Sequence, residues 1–299
     1  MKRAKRGRKA QTFALKVARS AICLGEMHRL FPNARNSAWA LERLVYLRTG
    51  SEDGISRVKG RFVNLEKRNG TPTEEDCAAV EARLEERCQG SKLPDGPLDN
   101  RLRKWINCPA WGLRAPVRDR DWCNQSLRSL SPDVCKIVFI QRSDFNPEKV
   151  PRRRSYDTLF YLVQLGTWDA LVACLLIADE NEVIGDPVGE EMALLCAYAC
   201  FPKAVRSDPL LYTHWEKAAR YLDPFWSPVV EKHLGGKSVD RLRRDVYTDD
   251  LDPKPLAAKL ADGIMRANRH DDRVARIQGA LRDVDFSLIK LGRVDILDS

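Results

Sequence analysis

Apolar residues recur with the period of an α-helix along most of the chain. Residues 12–31 carry one apolar stripe and are predicted to form an amphipathic helix that ends at Pro32. The residues of this stripe are Phe13, Val17, Ala21, Leu24 and Phe31. Residues 37–48 repeat the pattern and predict a second helix. Its side chains that should face inward are Trp39, Leu41, Leu44 and Val45. This periodicity predicts a mainly α-helical fold.

Boundary residues indicate where the next two helices end and begin. A third helix is predicted over residues 55–68, because Asn69-Gly70 is a typical stop signal. A fourth helix should open at Thr71, whose hydroxyl would cap free backbone N–H groups. Pro72 suits the first helical position, and Glu74 would complete a capping box. This helix should continue to about residue 88. The residues that share one of its faces are Cys77, Val80, Leu84 and Cys88.

The middle of the chain lacks this clear periodicity. Residues 89–100 have loop composition, and residues 101–135 are predicted to be irregular and rich in Trp and Arg. Two interpretations fit Trp105, Trp111 and Trp122: they pack a loop-rich region, or they stack on unpaired bases of nucleic acid. Residues 136–141 are the best strand candidate. They form at most a minor β element, because one strand cannot build a sheet.

The C-terminal half is predicted to be a helical core. Residues 155–178 and 189–201 read as strongly apolar helices, and a helix over 210–222 should be broken by residues 224–228, which contain two prolines. Four leucines of the two apolar helices should be buried together: Leu175, Leu176, Leu194 and Leu195. Shorter predicted helices complete the tail, over residues 229–234, 239–247, 255–268 and 272–284.

Residues 146–154 form the predicted domain junction. The chain then divides into a basic arm (1–11), a basic helical nucleic-acid-binding region (12–150) and a helical core or interaction domain (151–299). The net charge of +9 follows this division. Residues 1–61 hold 15 basic and 4 acidic residues, a net +11, and residues 62–100 carry −4. Residues 101–154 carry +8, whereas residues 155–299 carry −6.

Such a concentrated positive field attracts phosphates and releases their counterions. Nucleic acid is therefore the predicted partner. The alternatives are an acidic protein partner, and cations that pair with the acidic half of the same chain. The predicted phosphate-binding residues of the arm are Lys2, Arg3, Lys5, Arg6, Arg8 and Lys9. The predicted phosphate-binding residues before the second half are Arg152, Arg153 and Arg154.

The run from Asn64 to Glu75, read as Asn-Leu-Glu-Lys-Arg-Asn-Gly-Thr-Pro-Thr-Glu-Glu, contains a Glu, a basic residue, a Gly and a Pro-Thr in that order. It resembles the end of the recognition helix and the start of the next helix in Cro/repressor-type helix-turn-helix domains. The resemblance covers residues 55–84 and marks residues 37–88 as a helix-turn-helix-like segment. It implies a helix in the major groove. The residues that would then face DNA are Ser56, Arg57, Lys59, Gly60 and Arg61. An ordinary helix–loop–helix with a well-formed cap fits the same residues.

No pattern typical of catalysis, cofactor binding or metal binding is present. The nine cysteines include no C-x-x-C pair, and none of the four histidines has a second His or a Cys at ligand spacing. Free thiols that act as small core residues indicate a reducing compartment and predict a cytoplasmic protein. The basic, acid-free first 22 residues leave a mitochondrial presequence as the alternative. No apolar stretch reaches the roughly 18 residues that span a membrane.

The sequence therefore predicts a nucleic-acid-binding protein of a bacterial or phage mobile-element or regulatory type, with DNA favoured over RNA. Its basic half would hold the phosphate backbone, and its acidic helical half would bind a protein partner or form a homodimer. Two alternatives remain: a non-catalytic scaffold subunit of a larger nucleoprotein complex, and an enzyme whose dispersed site cannot be read from the sequence.

Overall fold

The computed structural model describes residues 13–34, 37–46, 60–89, 101–113, 119–140 and 156–247. Within these ranges the fold is mainly α, as predicted, and contains no β-sheet. The helices are α1 (Phe13–Leu30), α2 (Ala38–Tyr46), α3 (Arg61–Arg68), α4 (Glu74–Gln89), α5 (Leu102–Ile106), α6 (Arg120–Arg128), α7 (Pro132–Val138), α8 (Tyr156–Leu165), α9 (Trp168–Ile184), α10 (Pro187–Ser207), α11 (Pro209–Leu234) and α12 (Ser238–Tyr247). None of these helices is both long and apolar enough to cross a membrane.

The chain divides into two compact units. The first comprises residues 1–111 together with residues 213–221 from the middle of α11. The second comprises residues 112–212 and 222–299. The junction predicted over residues 146–154 lies outside the described residues, as do the helices predicted over residues 255–268 and 272–284.

The predicted helices α1 and α2 are present, and their predicted apolar faces are confirmed in part. The predicted residues that are buried are Leu24, Phe31, Leu41 and Val45. Phe13 is 75% exposed, and Leu15, Ala18 and Ile22 are buried instead. Trp39 was predicted to face inward and is 53% exposed. In both helices, apolar residues lie on more than one face. Their spacing alone therefore does not show which face tertiary packing buries.

The boundary between α3 and α4 confirms one predicted signal and corrects another. Asn69 adopts a left-handed conformation (φ 50°), and the Gly70 N–H donates to the Leu65 carbonyl at 2.7 Å, so the predicted stop signal closes α3. The predicted cap at Thr71 is wrong by two residues. The Thr73 N–H donates to the Asp76 carboxylate at 2.7 Å, and the Asp76 N–H donates to the Thr73 hydroxyl at 3.4 Å. The capping box therefore uses Asp76 where Glu74 was expected.

The region predicted to be irregular contains three helices, α5, α6 and α7, within residues 102–138. The predicted strand over residues 136–141 begins inside α7, which Pro132 opens in its first turn and which ends at Val138. Phe139, which follows α7, is extended. The short run of apolar and β-branched residues fits a buried helix as well as a strand, because periodicity cannot distinguish the two structures over so few residues.

The second unit is centred on the pair α9 and α10, which pack on each other more extensively than any other described helix pair. The predicted helix over residues 155–178 is broken at Gly166, which has φ 55°, and the Thr167 hydroxyl caps α9 by accepting from the Ala170 N–H at 3.2 Å. The four leucines predicted to share this core are confirmed as buried, each 0–5% exposed: Leu175, Leu176, Leu194 and Leu195.

Helix α11 corrects the predicted break at residues 224–228. It runs as one helix through both Pro224 and Pro228. A proline inside a helix costs about 3 kcal/mol. Burial of Trp226 offsets part of this cost, because its ring contacts those of Tyr198 and Phe201 at 5.9 and 5.6 Å between centroids.

Removal of a buried leucine from the α9–α10 pair should destabilise the protein. Leu176→Ala should lower the free energy of unfolding by about 2–5 kcal/mol, because it leaves a cavity in the core. Ile184→Ala is the matched control, since it removes the same number of carbons from the same helix at a side chain that is 45% exposed. Urea denaturation followed by circular dichroism measures both changes. Equal destabilisation by the two variants would contradict the packing described here.

Candidate functional site

Most of the predicted phosphate-binding cations lie outside the described residues. These are Lys2, Arg3, Lys5, Arg6, Arg8, Lys9, Arg57, Lys59, Arg152, Arg153 and Arg154. Arg61 is the one predicted binding residue that the structure describes. Its surroundings in the first unit are therefore the described part of the candidate site.

Arg61 is surrounded by acceptors from α4 and the turn before it. Its Nε lies 2.7 Å from an Asp76 carboxylate oxygen, and one terminal nitrogen lies 3.0 Å from the Glu75 carboxylate. The other terminal nitrogen donates to the Thr73 hydroxyl at 2.6 Å. The Arg61 side chain is 35% exposed. These contacts fix its orientation toward α4, so a contact with DNA phosphate stays a prediction for this residue.

Asp76 is completely buried, and its carboxylate accepts hydrogen bonds from three residues. Besides the Arg61 guanidinium and the Thr73 N–H, it accepts from the Tyr46 hydroxyl at 2.5 Å. Burial raises the pKa of Tyr46, and the hydrogen bond to Asp76 raises it further. Tyr46 therefore remains a donor at neutral pH. A buried carboxylate is tolerated only when such donors compensate its lost hydration.

A second buried carboxylate, that of Glu42 on α2, lies at the N-terminus of α3. It accepts from the backbone N–H groups of Arg61 and Phe62 at 2.8 and 2.9 Å. Gly60, which precedes α3, offers no side chain to cap these groups. Glu42 takes the place of a local cap and places its negative charge at the positive end of the helix. Glu42 and Asp76 thus hold α2, α3 and α4 together.

Neither Glu42 nor Asp76 was singled out by the sequence. A glutamate within an apolar stripe and an aspartate beside a capping threonine are the only local signals of their burial. The helix-turn-helix resemblance remains a prediction, since residues 47–59, which connect α2 to α3, lie outside the described part of the chain.

Other arginines of the first unit also pair with its own carboxylates. Arg103 pairs with Glu81 at 2.6 Å and with Glu74. Arg29 and Arg101 both contact the completely buried Glu26, at 2.7 and 3.4 Å. The positive charges of these arginines are matched by carboxylates of the same unit, and the resulting ion pairs stabilise the fold.

The tryptophans of the predicted Trp and Arg region follow the packing interpretation where they are buried. Trp105 and Trp111 are 3% and 7% exposed. The Trp111 indole N–H donates to the Trp105 carbonyl at 2.5 Å, and the Tyr221 hydroxyl donates to the Ala110 carbonyl at 2.6 Å. These two rings are therefore not available to stack on bases.

In the described part of the second unit, an ionic cluster joins α10 to α11. Glu191 contacts Lys232 at 2.7 Å and His233 at 2.8 Å. Burial of Glu191 raises its pKa, but the hydrogen bonds from Lys232 and His233 outweigh this effect and hold the pKa below its usual value. The carboxylate is thus charged at neutral pH and acts as a stabilising acceptor.

The described cysteines behave as small core residues, as predicted. Seven thiols are buried and none is in a disulfide: Cys23, Cys77, Cys108, Cys123, Cys174, Cys196 and Cys200. Burial raises the pKa of Cys23 to about 12, so its reactive thiolate is rare at neutral pH. Within the described ranges, no three His, Cys, Asp or Glu side chains come together as a metal site.

His28 on α1 and His214 on α11 form a titratable pair within the first unit. Burial, together with the positive charges of Lys217 and His28, lowers the pKa of His214 to about 4. Burial also lowers the pKa of His28, although Glu66 opposes this shift. Both rings are therefore neutral at pH 7 in the folded protein.

Comparison with known proteins finds no matching family, no similar curated protein and no solved structure that resembles this fold.

Arg61 should contribute to stability. Arg61→Ala should lower the free energy of unfolding by about 2 kcal/mol, because it leaves the buried Asp76 carboxylate without its charged donor. Arg68→Ala is the control, since Arg68 lies exposed at the other end of the same helix. Thermal unfolding followed by circular dichroism compares the two variants. An unchanged melting temperature for Arg61→Ala would contradict the described ion pairs.

Acid should destabilise the first unit through His214. The folded-state pKa of about 4 lies below 6.5, the ordinary histidine value expected in the unfolded chain, so protons bind the unfolded chain preferentially. The stability contributed by neutral His214 is complete above pH 6.5 and is lost as pH falls toward 4. His214→Gln should therefore lose less stability than the wild type between about pH 7 and about pH 5, measured by urea midpoints. Identical pH dependence of both proteins would refute a buried neutral His214.

Proposed function

We propose that this protein binds nucleic acid through the phosphate backbone, with DNA favoured over RNA, and acts as a regulatory or mobile-element protein of bacterial or phage type. The observation that carries the proposal is the charge of the N-terminal segment. Eight Lys and Arg residues precede the first carboxylate, Glu26, and six of them lie within residues 2–9. A field of this density binds polyphosphate by releasing condensed counterions.

The contacts of the described carboxylates argue against the alternative that these cations pair with acidic residues of the same chain. In the first unit, Glu26, Glu42 and Asp76 are buried and already accept from other groups of that unit. In the second unit, Glu180 pairs with Arg120 at 3.4 Å, and Glu191 pairs with Lys232. Carboxylates engaged in this way offer little negative charge to further cations of the chain, which favours an external anionic partner.

The second unit is proposed to bind a protein partner or a second copy of the chain. Tyr212 on α11 and Tyr247 on α12 are 46% and 60% exposed, and their rings meet edge to face at 6.3 Å. Exposed aromatic side chains are enriched in protein interfaces, where they bury a large area at low entropic cost. A non-catalytic scaffold subunit of a nucleoprotein complex would use the same two surfaces.

Deletion of residues 2–9 should weaken nucleic-acid binding and make it less salt-dependent. The deletion removes six cations, so the log–log slope of affinity against salt should flatten by up to about 5 on duplex DNA. Fluorescence anisotropy with labelled duplex at several salt concentrations measures the slope.

Two variants that lose the same number of positive charges distinguish binding by the arm from attraction by the net charge of the protein. One variant replaces Lys5, Arg6 and Arg8 by Gln. The other variant replaces the exposed Lys217, Arg220 and Lys237 by Gln. Only the arm variant should lose affinity substantially. Equal losses would show attraction by net charge alone, and a folded full-length protein that binds no nucleic acid at low salt would overturn the proposal.

The helix-turn-helix resemblance has its own test at Arg57 and Lys59. Arg61 is left unchanged, because its replacement would disturb Asp76. If the predicted third helix reads bases, replacing Arg57 and Lys59 by Ala should reduce discrimination among duplex sequences as well as affinity. A uniform loss of affinity would indicate backbone contact alone.

A further inference from the structure

Trp39 on α2 is the described tryptophan that lies mostly in solvent. It is 53% exposed, although α2 buries Ala38, Leu41 and Val45 on its other face. Five other tryptophans are buried: Trp105, Trp111, Trp168, Trp215 and Trp226. Leaving an indole in water forgoes the favourable free energy of burying its large apolar surface. The fold therefore does not use this side chain for its core.

Arg43, one helical turn after Trp39, holds the exposed indole in place. Its guanidinium carbon lies 4.6 Å from the centroid of the ring, which is the geometry of a cation–π contact. Arg43 is itself exposed, and no described carboxylate forms an ion pair with it. It differs in this respect from Arg61 and Arg103, whose charges are matched by carboxylates of the same unit.

We propose that Trp39 and Arg43 form a stacking platform for an unpaired base of single-stranded nucleic acid, with Arg43 contacting the adjacent phosphate. The inference rests on the proposed function and adds a preference for unpaired strands. Aromatic rings bind the faces of unpaired bases, and an arginine beside them holds the backbone, which together is how many proteins retain single strands. In a duplex the bases are stacked on each other and offer no free face.

Charge favours this occupant over a second copy of the chain. The platform lies within residues 1–61, which carry a net charge of +11. Two such surfaces placed face to face would repel each other, whereas a phosphodiester strand neutralises both the platform and the arm. The position of Trp39, outside the helical core and within the basic segment, fits a strand that runs along the N-terminal half.

The test compares strands with and without bases. The full-length protein and Trp39→Ala are titrated with a labelled oligothymidine and with an abasic phosphodiester strand of the same length and charge. Base stacking of this kind contributes about 5- to 150-fold in affinity per base. The wild type should prefer oligothymidine by a factor in this range, and Trp39→Ala should bind both strands alike. Trp39→Phe, which keeps an aromatic face, should retain part of the preference.

Tyr247→Ala provides the matched control, because Tyr247 is a comparably exposed aromatic residue in the other unit. It should leave the preference for oligothymidine unchanged. A second readout is the tryptophan emission, which oligothymidine should quench in the wild type and much less in Trp39→Phe.

Two results would overturn the platform while leaving backbone binding intact: equal affinity of the wild type for the two strands, or an unchanged preference in Trp39→Ala. A loss in Trp39→Ala that is equal for oligothymidine, abasic strand and duplex would also overturn it, because stacking affects only exposed bases. Failure of the wild type to bind any strand or duplex would instead remove the proposed function itself.

Discussion

Two carboxylates that have no contact with water, those of Glu42 and Asp76, determine how α2, α3 and α4 fit together in the first unit. An ionised group in such a position must be surrounded by donors, because its lost hydration costs several kcal/mol. Glu42 obtains its donors from the N-terminus of α3, and Asp76 obtains them from Tyr46, Thr73 and Arg61. Each carboxylate therefore fixes a helix on which it does not lie.

Because buried carboxylates need donors, the cations of the basic half fall into two groups. Some, such as Arg61, Arg101 and Arg103, compensate carboxylates of the first unit and serve its stability. Arg43 instead lies exposed over an exposed indole, and the dense basic run of residues 2–9 has no acidic residue in its own segment. The proposed binding of phosphate depends on this second group.

Helical periodicity was enough to predict the fold class, the position of most helices and the buried leucines of α9 and α10. It failed for features that depend on tertiary partners. Trp39 has the right spacing for a core residue, but the partners of α2 select another face. Pro224 and Pro228 are typical helix breakers, yet α11 continues through both, and aromatic packing around Trp226 offsets part of their cost. A local pattern carries no information about such partners.

The candidate site was predictable to a smaller extent. Charge density pointed to the arm, and the helix-turn-helix resemblance pointed to Arg61. The contacts of Arg61 depend on Glu75 and Asp76, which only the fold brings to it. The exposed pair of Trp39 and Arg43 could not be recognised in the sequence, since a turn of helix with a Trp and an Arg is equally typical of a half-buried face. Burial, rather than residue type, distinguishes the two cases.

The natural partner of the basic half is proposed to be a nucleic acid. The full-length protein is purified from cells at low salt, and its ratio of absorbance at 260 and 280 nm is measured before and after nuclease digestion. We expect bound nucleic acid that nuclease removes and that high salt releases. Protein that is free of nucleic acid at low salt, and that instead retains an acidic protein on its basic half, would contradict this proposal.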